Sequence, residues 1–437
     1  MATEGQAPAP RAILRGHKAP VHYAAFIRDN QRLLTGDKDG FVISWDLTTM
    51  RPRAVWHAHP GQPVLAIAGW GPDKVITHGR NNKLVVWKLA VEDEARLSTT
   101  LPLDPPTEPR PDPWIVNILD VNTLNYCAFS CCSSTSEPLS VSSEVMIAVP
   151  NTLSSSAVDI FQLPTQARQH TIDFGTAHGI VFALNLSRQA GSLTLIAGFE
   201  DGTATVFHYS TEQLKWVNQY SLSKAHTEPV LSLDLSPRGD YFFTSGADDK
   251  IVRHPMPHIT TPPGQESAPA KSPTTTISKP STSFKSLSTK HSGQQSLRVR
   301  SDGLIFATAG WDAMLRVYST KSLKEVAALK WHQVGCFAVA FAEMPNSAGG
   351  NDRKNDGNNA VVTPVSSSTL GSPSSLQIQQ QQQQQQELQA RGKSTTTLAT
   401  AKFGDMSVKE KRIKQATSAH WLAAGAKDGR VSLWEIF

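Results

Sequence analysis

Along most of this chain, apolar residues come in short alternating runs. From Thr35 to Leu47 the sequence reads TGDKDGFVISWDL: a turn of small residues and aspartate, then Phe41, Ile43 and Trp45 at alternate positions. That period of two predicts a strand with one buried face, entered from a tight turn. Aspartate suits the turn because its carboxylate accepts backbone amide hydrogen bonds and its backbone tolerates unusual turn dihedrals. The same cassette returns as THGRNNKLVVWKL (Thr77 to Leu89), AGFEDGTATVFHY (Ala197 to Tyr209), AGWDAMLRVYS (Ala309 to Ser319) and AGAKDGRVSLWEIF (Ala424 to Phe437). A weaker copy is SGADDKIVRHPM (Ser245 to Met256). An all-β repeat architecture follows, each cassette marking one small sheet.

A second mark recurs about 21 to 23 residues upstream of most cassettes, a histidine in a turn: His17, His59, His178, His226 and His291. Together the two marks resemble the WD40 repeat family, whose Gly-His and Trp-Asp dipeptides bracket a four-stranded propeller blade. Trp45-Asp46 is a literal match to the second. The resemblance implies a β-propeller and, within a blade, a structural network of turn Asp, loop His, strand Ser or Thr and strand Trp. In blade 1 these are Asp39, His17, Thr35 and Trp45. In blade 2 they are Asn81 in place of Asp, His59, Thr77 and Trp87. Blade 5 offers His226, Ser245 and Asp249, with Pro255 for Trp. Blade 6 offers His291, Thr308, Asp312 and Tyr318. Blade 7 offers His332, Asp428 and Trp434, with Ala424 where the hydroxyl should be.

Between Leu89 and His178 there is room for one degenerate blade, with candidate strands around Leu124 to Cys131, Glu144 to Val149 and Val158 to Leu163. The expected architecture is therefore a seven-bladed propeller; six blades plus an irregular segment is the alternative. The last cassette runs to the end of the sequence, so the final blade needs an outer strand from elsewhere. Arg11 to Arg15 is the expected donor, which would cover a sheet edge and join the first and last blades.

Composition modifies this picture in two stretches. Residues 257–281 are rich in Pro, Ser and Thr, and residues 344–417 contain eight consecutive glutamines, Gln379 to Gln386. Both have too little apolar content to offset the entropy of ordering, so both are expected to be disordered insertions. The organisation expected is a flexible arm at 1–10 and one propeller at 11–437 carrying the two insertions. By the repeat register both leave from one propeller face. The opposite face, built from the His and Asp turns, keeps short connections and is the expected docking surface. Trp311 and Trp331 fall in its turns and are candidate partner contacts, since a rigid aromatic buries much area at low entropic cost. The competing reading is packing between blades. KEKRIK, Lys409 to Lys414, reads as a nuclear-import signal, a contact for an acidic partner, or a solvated helical turn.

A net charge of +5 over 437 residues is a mild excess and gives little support to nucleic-acid binding, which needs clustered Lys and Arg. No secretory leader or apolar run of about 18 residues is present. Cys127, Cys131, Cys132 and Cys336 lack disulfide-framework or zinc spacing and are expected to be reduced. Phosphate-loop, nucleophile-elbow and zinc-helix motifs are missing, and the prolines around His254 and His258 disfavour a helical metal pair. No catalytic residue, cofactor or metal is expected.

Three segments carry a narrower resemblance: RGHKAPVHYAAF near the start, WHQVGCFAVAFAE before the long insertion and HWLAAGAKDGRVSLWEIF at the end. They are similar to the fungal ASTRA-associated protein 1 family. That resemblance implies a non-catalytic subunit of the nuclear ASTRA assembly, connected with chromatin regulation. It also implies, as partners, other subunits and the cochaperones that mature phosphatidylinositol-3-kinase-related kinases. The alternative interaction role, substrate receptor of a cullin-type ubiquitin ligase, would be marked by Trp-Asp-x-Arg. Here the residues are Trp45-Asp46-Leu47-Thr48.

Overall fold

In a computed structural model of the chain, the described residues are 8–104, 109–121, 127–135, 137–189, 191–257, 284–344 and 407–436. Seven four-stranded antiparallel sheets form a β-propeller. Blades 1 to 6 span 21–57, 64–120, 130–173, 181–222, 230–288 and 294–330, each with its strands in chain order from the channel outward. Blade 7 takes three strands from 336–341 and 421–435, and its outer strand is Ala12–Arg15. That strand pairs antiparallel with Arg430–Glu435, Ala12 opposite Leu433 and Arg15 opposite Arg430. An ion pair between Arg11 and Glu435, at 3.1 Å, extends the join.

The degenerate third blade is a full sheet with strands Ser130–Ser133, Val145–Pro150, Ala157–Leu163 and Ala167–Asp173. Its middle strands are apolar at nearly every position, and this buries them without the turn residues the other blades use.

The core is distributed along the seams between blades. Successive residues of a strand point to opposite faces, so Leu33, Ile43 and Trp45 pack against blade 7. Leu34, Val42 and Trp56 of the same sheet pack against blade 2. The pattern repeats at every seam, through Trp70 and Ile147, Ile160 and Leu195, Val206 and Phe242, Phe243 and Phe306, and Val317 and Trp434. No disulfide joins the four cysteines, all of which lie among the described residues. Burial pushes Cys131 up to about 12, Cys132 to about 11 and Cys336 to about 12, which keeps these thiols protonated at neutral pH.

The long connection between the last two strands of blade 2 straps over blade 1. Its 3-10 turn, Asp93–Arg96, buries the carboxylate of Glu94 among Arg28, Arg32 (2.8 Å) and Arg53 (3.2 Å). Burial alone would raise this acid; Arg32 and Arg28 hold it below the usual carboxylate range. Further on, Ser98 accepts a bond from the Val55 amide on the outer strand of blade 1, at 2.8 Å.

Two units emerge from the contacts, 1–345 with 412–437, and 346–411. The second is described only at its end, where Ser407 and Glu410 form a capping box: each side chain accepts the other's amide, at 3.2 and 2.7 Å. It opens the helix Val408–Ser418, so the stretch expected to be unstructured through 417 ends in ordered backbone carrying Lys409 to Lys414. The 257–281 stretch and the glutamine run lie outside the described residues, apart from Pro257.

Removing residues 1–15 strips the edge of blade 7 and uncovers the side chains against which Leu14 packs. The thermal midpoint is expected to fall by about 10 °C or more, measured by circular dichroism. An unchanged midpoint would show that the ring closes without this strand.

Candidate docking face

On the face opposite the two insertions, the turn before the inner strand and the turn between the second and third strands of a blade meet by one repeated bond. The amides of Lys38, Arg80, Glu200, Ala247, Trp311 and Lys427 donate to the carbonyls of Pro20, Pro63, Ile180, Pro229, Gly293 and Gly335, at 2.9 to 3.0 Å. These residues therefore occupy equivalent rim positions. Adjacent blades are locked by glycine: Gly40, at φ +93°, lies so close to the His59 carbonyl that a Cβ would collide with it. Gly202 stands in the same relation to His226.

Beneath the rim, blade 1 contains a complete buried network. His17 Nδ1 is 2.7 Å from Asp37, His17 Nε2 is 2.7 Å from the Thr35 hydroxyl, and Trp45 Nε1 donates to that hydroxyl at 2.8 Å. The indole can only donate, so Thr35 gives its own hydrogen to Nε2, leaving the Nδ1 proton for the carboxylate. Blade 2 repeats this with Asn81 (3.0 Å), His59, Thr77 (2.8 Å) and Trp87 (2.8 Å).

The structure corrects several assignments. The carboxylate in blade 1 belongs to Asp37, not Asp39, which is exposed. Asp37 pairs with Val21 at the register position that Gly79 and Gly246 hold in blades 2 and 5, directly beside the histidine ring. An acid there reaches Nδ1 first and also accepts the amides of Asp39 and Phe41. In blade 5 the network is one residue earlier than expected: His226 binds Asp248 (2.9 Å) and Thr244 (2.8 Å), not Asp249 and Ser245. His254, not Pro255, takes the tryptophan's place, bonding Thr244 at 2.9 Å and stacking on Phe242. The histidine-to-hydroxyl separation is 18 residues in blades 1, 2 and 5, and that spacing was the available signal.

Blade 6 lacks the network. Lys290 holds the position 18 residues before Thr308, so His291 comes one residue late and its half-exposed ring stops 3.5 Å from Asp312. Arg316 binds that carboxylate instead, at 2.6 Å, and Thr308 and Tyr318 lie buried without the histidine. In blade 7, His332 and Trp434 both bond Ser432, at 2.8 and 2.9 Å. Ser432 lies directly across the strand pair from Ala424 and supplies the missing hydroxyl from the next strand. Asp428 turns instead to Arg430, at 3.4 Å.

The channel opens on this face as a cavity of about 620 Å³ whose mouth includes His22, Lys38, Phe182, Phe337 and Lys427. Deeper, the Arg298 guanidinium reaches Tyr23 (3.3 Å) beside Asp234, whose pKa burial pushes up despite that cation and two backbone amides. Trp311 is exposed on the rim and donates to Gln295 at 2.8 Å. Trp331 is half-buried between blades 6 and 7, against His332 and Arg430. At the equivalent rim position the consecutive blades 7, 1 and 2 carry Lys427, Lys38 and Arg80, with Asp428 and Asp39 next to the two lysines, and blades 4 and 6 carry Glu200 and Trp311. Such a surface presents aromatic and cationic groups on short turns, the kinds of side chain that anchor protein partners. Among the described residues, no group of His, Cys, Asp or Glu could hold a metal ion.

The "WD domain, G-beta repeat" family profile matches residues 9–46 and 216–254, in each case the outer strand of the preceding blade followed by the three inner strands of blade 1 or blade 5. At full length the likeness is more specific. ASTRA-associated protein 1 of Verticillium alfalfae is 48% identical over 100% of this chain and 94% of that protein. Its counterpart in Pyricularia oryzae is 45% identical, covering 98% of this chain and 97% of that protein. The chain belongs to the ASTRA-associated protein 1 family of WD40 proteins. The family reaches Schizosaccharomyces pombe, whose member is 31% identical over 76% of this chain and 93% of its own length. A WD40 propeller in this family fits a non-catalytic scaffold engaged in protein–protein contacts.

Asp37→Ala is expected to cost about 3 kcal/mol in urea unfolding, because it leaves the buried Nδ1 of His17 without a partner, whereas Asp39→Ala leaves the midpoint unchanged. Equal losses would return the role to Asp39. The histidines also make stability depend on pH: burial lowers His59 to about 4, and His78 and His254 to about 3. These rings stay neutral when folded but gain protons below about pH 6.5 when unfolded, so unfolding takes up protons in that window. Stability is expected to be level above about pH 6.5 and to fall toward pH 4, by on the order of 3 kcal/mol from His59 alone. Urea midpoints unchanged between about pH 7.5 and 4.5 would contradict this.

Proposed function

We propose that this chain is a non-catalytic scaffold subunit of the nuclear ASTRA assembly. In this reading it connects chromatin regulation with the cochaperones that mature phosphatidylinositol-3-kinase-related kinases. The observation that carries the reading is the near full-length likeness to relatives named ASTRA-associated protein 1. The mechanism is positional: a ring of blades holds the rim turns fixed, and partners docked on different turns are coupled by proximity. The rim lysines Lys427 and Lys38 with the aromatic mouth at Phe182 and Phe337 suit acidic partner segments carrying an apolar anchor. The ligase-receptor alternative gains nothing from geometry. Asp46, which would stand in its motif, is bound to the Thr48 amide at 2.8 Å and the Thr48 hydroxyl at 2.6 Å.

The test is affinity purification of the tagged full-length protein from nuclear extract at moderate salt, with mass spectrometry of the retained proteins. ASTRA subunits and kinase-maturation cochaperones are expected, and the paired substitution Lys38→Glu with Lys427→Glu is expected to lower the yield of at least one of them several-fold. A reproducible partner set made of cullin adaptors would reject the assignment.

A further inference from the structure

A propeller exposes one outer strand per blade, and each is an open row of backbone donors and acceptors. Six of the outer strands here are protected. Arg51–His57 is crossed by the strap through Ser98. Ala12–Arg15 is short and ends in an exposed arginine. The exposed residues of Ala167–Asp173, Lys215–Leu222, Lys285–Ser288 and Glu325–Lys330 are mostly charged or polar, with Val326 their one exposed large apolar side chain. These are the usual means by which sheets avoid pairing with other chains.

The outer strand of blade 2, Trp114–Asp120, has neither a crossing segment among the described residues nor a polar exposed row, and its one charge is Asp120 at its end. Trp114 is 70% exposed, Ile115 52%, Val116 47% and Ile118 40%. The run from Trp114 to Leu119 is uncharged, and it lies last in its sheet, with no strand beyond it among the described residues. Val116 is the extra residue of a bulge between the pairs Trp87–Ile115 and Val86–Asn117. On the inner side Asn117 is tied to Pro164 (3.3 Å) and Gln166 of blade 3, so the strand is held in place with its outer edge open.

Charge settles what kind of strand fits. Asp112, which accepts the His57 backbone amide, and Asp120, which lies opposite Lys83 in the sheet, are exposed at the two ends of the apolar run. A second copy pairing antiparallel about Val116 would set each Asp112 against the other's Asp120, like charges at both ends of the contact. The edge is also only about 24 Å long at ~3.4 Å per residue and about 10 Å deep, so pairing two copies would bury on the order of 500 Å², far short of the roughly 1,600 Å² that a stable dimer buries. We propose that Trp114–Asp120 is a docking edge for one extended segment of a partner protein, apolar at alternate residues, uncharged in the middle and basic at both ends. Backbone pairing would supply affinity, and contacts to Ile115, Ile118 and Trp114 on the two faces would supply specificity. This edge lies on the circumference, apart from the rim of the docking face, so its success or failure is independent of the ASTRA assignment.

The test uses the full-length protein and a synthetic nine-residue peptide of alternating valine and threonine between two terminal arginines. A control peptide of the same composition carries both arginines at its centre. Saturable binding is expected by fluorescence anisotropy, with slowed amide exchange confined to 114–120. Ile118→Lys, or the milder Ile118→Thr if the lysine variant fails to fold, and the control peptide are each expected to weaken binding about ten-fold or more. Equal affinity for both peptides, no binding at about 1 mM, or protection at another strand would overturn the proposal. Concentration-dependent dimerisation that protects 114–120 without peptide would assign the edge to a second copy and overturn it as well.

Discussion

A sheet with two apolar faces cannot stand alone in water, and every blade here is such a sheet. Trp45 and Ile43 on one face of blade 1 need blade 7, while Trp56 and Val42 on the other need blade 2. The requirement passes from blade to blade and ends only when the ring closes. Ala12–Arg15 completes the final sheet and packs Leu14 into the seam between blades 7 and 1. Because burial is divided among seams, stability is shared by neighbouring pairs, and no blade contains a core of its own.

The histidine networks add direction to this non-directional packing. In blades 1 and 2 a ring is pinned at both nitrogens, one by the turn and one by the strand hydroxyl that also holds the tryptophan. Each network thus ties a rim turn to the third strand of its blade. Where a member is missing, a neighbouring residue fills part of its role, His254 for tryptophan in blade 5 and Ser432 for the absent hydroxyl in blade 7. Blade 3 has no such histidine and instead gathers Asn151 and Thr171 around the buried Asp159, at 2.8 and 2.6 Å. What recurs in blades 1, 2, 3, 5 and 7 is a polar cluster beneath the turns rather than a fixed set of residue types; its satisfaction is incomplete in blade 7, where His332 Nδ1 has no hydrogen-bond partner among the described residues.

Blade number, strand order and ring closure were legible because they rest on period-two alternation and repeat spacing, which the chain displays directly. Individual network members were legible only where the spacing was counted from the histidine. Counting from the turn aspartate slipped blade 5 by one residue, since Asp248-Asp249 and Thr244-Ser245 offer the same chemistry twice. Asp37 was hidden for a different reason, because it holds a position that is glycine in blades 2 and 5 and no repeat pattern marks it. Glu94 and its three arginines could not be read from local sequence at all. They come from two blades and meet only when the connection folds back across blade 1.

The strand Trp114–Asp120 went unread because a proline-rich connection separates it from the rest of blade 2, and no turn aspartate announces it. Its place in the sheet is nevertheless forced: the strand Lys83–Lys88 needs a partner, and Leu119 fills the seam toward blade 3. The inner side of this strand is thus fixed by folding, while its outer side is free to differ from the other outer strands. The other outer strands show that the same position in a blade accepts mostly polar exposed residues. A propeller that presents both a rim of cationic and aromatic turns and an open strand on its circumference can hold two partners of different shape at once. A scaffold requires that division of surface, and blade 2 joins the two, with Arg80 on the rim and Trp114–Asp120 at the edge.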